Sequence, residues 1–358
     1  MTVPGPVRIG LAGYGRGGRY FHAPLIGLAP ECTLAGVLTR SPQRRAELAA
    51  DLPGVPASAS LRDLAAAGSD AVVITTPLDT HETLVREAIT LGLPTVCDKP
   101  FTPDAASARA LVREAERAGL PLAVYQNRRW DADFLTVRAL LEAGALGEVT
   151  GFESRMEQYP PPGGFSATGG GVLRDFGSHV ADQALQLFGP AAAVYAEVHV
   201  RPEDGFDDRF FLSVRHAGGV TSHLRGDWTL RGAPGPRFRV TGRAGTFAVE
   251  SDDGQSERLL AGQTAEDGPF GPVPFGTVPF GTVPEARWGR IYRGEGLPPE
   301  PVPAEKGRWS SFYSAFARAV RGTGPLPVDP RDAVAALEVL DAARLSAARG
   351  DVVRLTPA

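Results

Sequence analysis

Cysteine is scarce in this chain: two in 358 residues, Cys32 and Cys97, with no C-x-x-C pairing. That excludes a disulfide framework and points to a reducing compartment, the cytoplasm. The six histidines contain no H-x-x-x-H pair, so no metal is expected. Charge of one sign is never concentrated, and the net charge is only −4. This argues against a nucleic-acid groove or an anionic membrane surface as partner. No apolar run reaches the roughly 18 residues a membrane helix needs. Met1–Pro6 has no basic segment followed by an apolar stretch, so no signal peptide is expected. What remains is ordinary globular composition, 43% hydrophobic and 22% charged, long enough for about two domains.

What the chain does have is glycine in one telling place. Ile9, Leu11 and Ala12 form a short apolar run that leads into Gly13-Tyr14-Gly15-Arg16-Gly17-Gly18. Residues with helical apolar spacing follow: Phe21, Leu25 and Leu28. Strand, glycine turn and helix in that order fit a dinucleotide site. Gly13 permits the tight turn, Gly15 lets a pyrophosphate approach the backbone, and Gly18 lets helix pack on strand. The helix start then offers unpaired N–H groups to the phosphates.

Strand-like and helical segments go on alternating as far as Tyr125, which implies parallel strands with helices on both faces. Thr33–Leu38 ends in Thr39-Arg40-Ser41, about 20 residues past the turn, where a carboxylate would bind the ribose 2′-hydroxyl. Here there is none, and Arg40, Arg44 and Arg45 lie close. Either these guanidinium groups favour the 2′-phosphate of NADP over NAD, or Arg44 and Arg45 are solvated helix charges. Ala71–Ile74 leads into Thr75-Thr76-Pro77, a strand end that points at the cofactor. Thr80 is placed to cap the next helix. His81, in its first turn, either touches the cofactor or is simply exposed. Thr95–Cys97 ends in Asp98-Lys99-Pro100. A lysine there can donate to a substrate oxygen and stabilise a developing alkoxide; otherwise it is a surface lysine before a turn.

Past Asn127-Arg128-Arg129-Trp130-Asp131 the pattern changes. A helix around Phe134–Leu141 gives way to period-two alternation over Val194–Arg201, Phe210–Val214, Val220–Trp228, Phe238–Thr241 and Thr246–Glu250. One buried and one exposed face imply an antiparallel sheet, a platform with helices on one side. Trp309–Val320 and Pro330–Ala348 are late amphipathic helices. The pentapeptide repeat at 270–284, three copies of Phe-Gly-x-Val-Pro, has proline too often for a strand or helix interior and is read as an extended surface excursion. Gly169-Gly170-Gly171 precedes a helix start bearing Asp175 and His179, four residues apart and so on one face. An imidazole suits removal of a hydroxyl proton near neutrality. The alternative is a capping aspartate and an exposed histidine.

These motifs together resemble the Gfo/Idh/MocA family of NAD(P)-dependent oxidoreductases: the Gly13–Gly18 turn, Thr76-Pro77 with His81, Asp98-Lys99-Pro100, and Gly169–Gly171 with Asp175-x-Gly177-x-His179-x-x-Asp182. His22-Ala23-Pro24 and Asn127–Asp131 are similar to its NADP-dependent scyllo-inositol 2-dehydrogenase branch. One departure is Asp98, where glutamate is usual. The resemblance implies an α/β fold. An N-terminal Rossmann domain, a doubly wound parallel sheet, would span 1–127, and a C-terminal α+β domain with a large, mainly antiparallel open sheet would span 128–358. It implies hydride transfer between a secondary alcohol of a sugar or cyclitol and the nicotinamide. Lys99, Asp175 and His179 would form the catalytic group. Cofactor contacts would come from Gly13, Tyr14, Gly15, Arg16, Gly17, Gly18, Thr39, Arg40, Ser41, Thr76, Pro77, His81, Asp98, Lys99 and Asn127. Arg128, Arg129 and Tyr159 would join the catalytic residues in holding substrate. It also implies a homodimer or homotetramer built on the open sheet face. Rival readings are a glycosidase of the same family that regenerates bound NAD, a non-catalytic NADP-binding sensor, and a reductase of small aldehydes.

Overall fold

Short strands of two to seven residues, mostly apolar and buried, build the first sheet, in a structure that is a computed structural model describing residues 5–160, 170–262 and 279–356. These strands are β1 (Val7–Ala12), β2 (Cys32–Leu38), β3 (Ala57–Ser58), β4 (Ala71–Ile74), β5 (Thr95–Cys97) and β6 (Leu122–Val124). They pair in parallel in the order β3-β2-β1-β4-β5-β6. Every residue of β4, β5 and β6 is buried, as a parallel sheet covered on both faces requires. The intervening helices are α1 (Ala23–Leu28), α2 (Pro42–Asp51), α3 (Leu61–Ala66), α4 (His81–Thr90) and α5 (Ala105–Ala118). Side chains start three of them: Ser41, Ser60 and Asp104 accept the N–H groups of Arg44, Asp63 and Ser107. Gly119, at φ +65°, closes α5.

One local expectation changes. The glycine turn does not run directly into an α-helix; Gly17–His22 is a π-helical turn, and α1 begins only at Ala23. The wider turn buries His22, which is 1% exposed. Packing divides the chain into two compact units. The first comprises Met1–Asn127 together with Gly254–Phe280 and Arg308–Ala333, so α8 (Gln255–Leu260) and α9 (Ser311–Val320) pack in it. α9 buries Phe312, Tyr313 and Phe316.

The second unit is Arg128–Asp253, Gly281–Gly307 and Val334–Ala358. It contains α6 (Ala132–Glu142), β7 (Val149–Glu157), α7 (Val172–Phe188), β8 (Ala191–Val200), β9 (Asp207–His216), β10 (Thr221–Asp227), β11 (Phe238–Gly242), β12 (Gly245–Val249), β13 (Arg290–Tyr292), β14 (Glu300–Pro301) and β15 (Val353–Arg354). Most of α10 (Pro330–Arg349) belongs to it as well. The nine strands run β14-β13-β12-β11-β7-β10-β9-β8-β15. All neighbours are antiparallel except β7 and β10, which pair in parallel from Gly151↔Thr221 to Glu157↔Asp227. The expected mainly antiparallel sheet is therefore mixed at its centre. Alternation is clean: on β9, Phe210, Leu212 and Val214 are buried between exposed or half-buried neighbours. α7 packs on β7, β9 and β10. Of the pentapeptide repeat, 270–278 lies outside the described residues. Among the described residues, no helix is long and apolar enough to cross a membrane, and no group of three or more His, Cys, Asp or Glu side chains is placed to hold a metal ion.

Candidate active site

In the first unit the sheet order reverses between β1 and β4, and the loops that follow these strands lie at the resulting crevice. Gly13 has φ +108°, and a side chain there would press on the Thr75 carbonyl. At Gly18 a side chain would overlap the Gly13 carbonyl. At Gly15 a side chain would meet only the flexible tip of Arg44, at 3.4 Å, and the missing side chain lets a phosphate approach the backbone. The turn thus fits a dinucleotide pyrophosphate. Tyr14, by contrast, turns inward: it is 1% exposed and donates its hydroxyl to Asp51 at 3.0 Å. Arg19 grips the same carboxylate through Nε at 2.6 Å and Nη2 at 3.0 Å. Burial, with Asp51 beside it, pushes the Tyr14 phenol well above its ordinary pKa. Its side chain pins the turn to α2.

The arginines after β2 separate into different roles. Arg40 donates to the Ala59 carbonyl at 3.1 Å and Arg45 to the Thr39 carbonyl at 3.1 Å. Arg44 reaches back over Gly15, and Ser41 caps its helix. Thr39 is buried, Ser41 half-buried and Arg16 exposed. Of the two alternatives for His81, exposure is ruled out, since it is 2% exposed. Its Nε2 faces the Thr76 carbonyl at 2.8 Å, and Nδ1 faces the carbonyls of Pro100 and Phe101 at 3.1 and 3.2 Å. The ring ties the loop after β4 to the loop after β5. Thr80 is not a side-chain cap; its hydroxyl donates to the Pro77 carbonyl at 2.6 Å and meets Thr76 Oγ1 at 2.6 Å. Pro77 precedes this short turn, and Asn127 is buried at the end of the unit's first stretch.

Lys99 follows β5, half-buried, with its main-chain N–H bound to Asp98 Oδ1 at 2.8 Å. The other Asp98 oxygen accepts from Thr75 Oγ1 at 2.9 Å and lies 3.2 Å from His22 Nε2. Burial alone would raise the Asp98 pKa. Burial is the largest single influence, but His22, by charge and by hydrogen bond, together with Lys99 and His81 outweighs it, and the carboxyl is held at about 2. The sequence contains one signal about Lys99 that motif reading passes over. Among 37 basic residues only Lys99 and Lys306 are lysines. A compact ammonium is kept at this strand end in a chain that otherwise uses guanidinium.

In the second unit, α7 carries Asp175 half-buried and His179 buried at 5% exposure; the exposed-histidine alternative fails. The carboxylate that caps this helix is Asp207, not Asp175: the Leu173 N–H donates to Asp207 Oδ2 at 2.5 Å. Gly171, at φ +87°, leaves the room that Asp207 occupies. Burial raises the Asp207 pKa, with the Leu173 bond and Arg344 opposing. Both candidate substrate arginines are held in ion pairs here. Arg129 forms a two-bond pair with Asp182 at 2.8 and 2.5 Å. Arg128 bonds Asp131 at 3.0 Å and Asp252 at 3.4 Å. Tyr159 is 60% exposed and donates to the Gly232 carbonyl at 2.9 Å. Beside these lies a buried pair that sequence reading missed: Arg237 Nε sits 3.1 Å from Asp133 Oδ2 and its other nitrogens bond Ser154 and Gln183. Burial pushes the Asp133 carboxyl up although Arg237 draws it down.

Two family models match the chain. A family model described as the oxidoreductase family, NAD-binding Rossmann fold, matches residues 7–126. A second, the GFO/IDH/MocA C-terminal domain, matches 134–248. The chain is 29% identical over 345 residues to scyllo-inositol 2-dehydrogenase (NADP(+)) IolW of Bacillus subtilis, covering 94% of this chain and 92% of that protein. It is 33% identical over 347 residues to the uncharacterized oxidoreductase YdgJ of Escherichia coli, covering 94% of each. The solved structure of YPO2259 from Yersinia pestis superposes with a TM-score of 0.88 at 31% identity, over 99% of this chain and 98% of that one.

Proposed function

The chain belongs to the Gfo/Idh/MocA family of oxidoreductases, and on that premise we propose that it moves hydride between a secondary alcohol of a cyclitol or sugar and the nicotinamide of NADP. The observation that carries this reading is Lys99. It stands at the carboxyl end of β5, in the unit that holds the glycine turn, with its main chain fixed by Asp98. The bound dinucleotide supplies the hydride acceptor, and the residues around Gly13–Gly18 would hold it. Lys99 donates to the alcohol oxygen and steadies its developing charge. His179 takes the hydroxyl proton as general base. Asp175 orients that imidazole or grips a neighbouring hydroxyl. Arg44 gives the reason for preferring NADP, since its guanidinium lies over the glycine turn and suits a 2′-phosphate. The likeness to an NADP-dependent scyllo-inositol dehydrogenase supports a polyol. Homo-oligomers through the uncovered face of the nine-stranded sheet, where Glu197, His199, Arg209 and Arg225 line a shallow pocket, belong to the same reading.

The test is NADPH formation at 340 nm with a panel of inositols and sugars. Turnover is expected with NADP above NAD. His179→Ala should cut kcat about 10²–10⁴-fold with NADPH binding, read by fluorescence, unchanged. In a double-mutant cycle with Lys99→Met the losses should be strongly non-additive if the two groups act on one oxygen. Full activity in His179→Ala would overturn the assignment. Sugar release without net absorbance change would replace it by the glycosidase.

A further inference from the structure

His22 takes no part in the chemistry above, yet it is among the most buried polar residues of the first unit, 1% exposed. Its ring lies 4.4 Å from the Tyr125 ring, which meets Phe312 edge-on at 4.9 Å. Both nitrogens are used: Nδ1 meets the Tyr313 hydroxyl and Nε2 lies 3.2 Å from Asp98 Oδ2. An ionised carboxylate only accepts, so Nε2 carries the hydrogen in that bond. The second oxygen of the same carboxylate accepts the Lys99 N–H at 2.8 Å. Gly17 makes room for this arrangement, because a side chain there would run into Thr75 Oγ1 and lie 3.3 Å from Asp98. A chain of contacts therefore runs from Tyr313 on α9 through His22 and Asp98 to the main chain of Lys99.

We propose that His22 is a positioning residue for Lys99: it clamps the Asp98 carboxylate, and that carboxylate holds the main-chain N–H from which the lysine side chain departs. The proposal rests on the reading of Lys99 given above. Several charged or titratable groups face Asp98. They are His22 on the π-helical turn, His81 on α4, Cys97 and Lys99 beside it, and Tyr313 on α9. Of these, His22 does most to favour its ionisation. A packing histidine would need its shape alone. A clamp needs the N–H toward Asp98, which glutamine can supply and leucine cannot.

The experiment compares His22→Gln, His22→Leu and Lys99→Met in the 358-residue chain. The first measurement is a ¹³C NMR titration of the Asp98 carboxyl carbon, assigned with Asp98→Asn. Wild type should stay ionised to the lowest pH at which it is folded, and His22→Gln, which keeps the N–H but not the charge, should titrate between wild type and His22→Leu. His22→Leu should titrate near the ordinary aspartate value of about 4. The second is kcat and KM for scyllo-inositol oxidation with NADP between pH 5 and 9. His22→Leu should lose about 10-fold in kcat with KM little changed, and His22→Gln should recover most of that loss. An Asp98 titration unaltered in His22→Leu, or a glutamine variant as slow as the leucine one, overturns the clamp. If His22→Leu does not fold, Tyr313→Phe removes only the hydroxyl on Nδ1. It should lower kcat a few-fold; wild-type kcat there overturns the proposal as well. Wild-type turnover in Lys99→Met would instead sink the role of Lys99, while the carboxyl titration still shows whether His22 holds Asp98.

Discussion

Single side chains decide which cofactor fits, and here the arginines are not equivalent. Arg40 and Arg45 are tied to backbone carbonyls, whereas Arg44 extends over Gly15. Arg44→Ala should therefore weaken NADP by about 10–100-fold, the value of a charge-assisted pair of hydrogen bonds, and leave NAD within about twofold. Titration calorimetry with both dinucleotides checks this. Equal losses for the two would show that Arg44 touches the shared pyrophosphate and not the 2′-phosphate. A cluster of arginines near a strand end is visible in the sequence, but which one is left over is not. That depends on where Ala59 and Thr39 present their carbonyls, which only folding settles. Tyr14 makes the same point in reverse. It sits inside the glycine motif, yet its hydroxyl goes to Asp51, 37 residues away.

Elements were easier to read than their ends. Period-two alternation locates β8 to β12 to within three residues at each end, because a sheet with one covered face must alternate. Buried runs located β1, β4, β5 and β6 for the opposite reason, since both faces are covered. Two things escaped. The parallel pairing of β7 with β10 leaves no trace in either strand, because alternation looks the same in both senses. The π-helical turn is equally silent, since one extra residue per turn needs a packing reason, which is His22 reaching Asp98 and Tyr313. The start of α7 is also misjudged locally. A carboxylate in its first turn suggests a cap, yet the cap comes from β9, 34 residues on. Asp207→Ala leaves the Leu173 N–H buried without its acceptor, which costs roughly 1–3 kcal/mol. Because α7 carries Asp175 and His179, kcat should fall along with the melting temperature. Asp207→Asn, which keeps an acceptor oxygen, should restore most of both. An alanine variant with wild-type melting would show that Asp207 does not hold the helix.

At the scale of the molecule, buried groups respond to pH in opposite senses. In the first unit, the Asp98 carboxyl sits at about 2 when folded, below its unfolded value of about 4. Its contribution is complete above pH 4 and is lost as the pH falls toward 2. In the second unit, burial raises Asp133 despite Arg237, and it raises Asp207 as well. Their contributions are complete below the unfolded value and are lost as the pH climbs through the raised one. His216, lowered by burial, works the other way: its contribution is whole above about pH 6.5 and shrinks on acidification. A raw melting profile therefore mixes signs, and a difference isolates one group. Asp133→Asn removes the carboxyl that must ionise in the interior. Between pH 5 and 8 the wild type should lose stability relative to this variant, by at most about 1.4 kcal/mol per pH unit while one group titrates. Melting curves of both proteins across that range give the comparison. A gap that stays constant with pH would mean that Asp133 ionises in the folded unit as readily as in the unfolded chain, and that Arg237 fully offsets its burial.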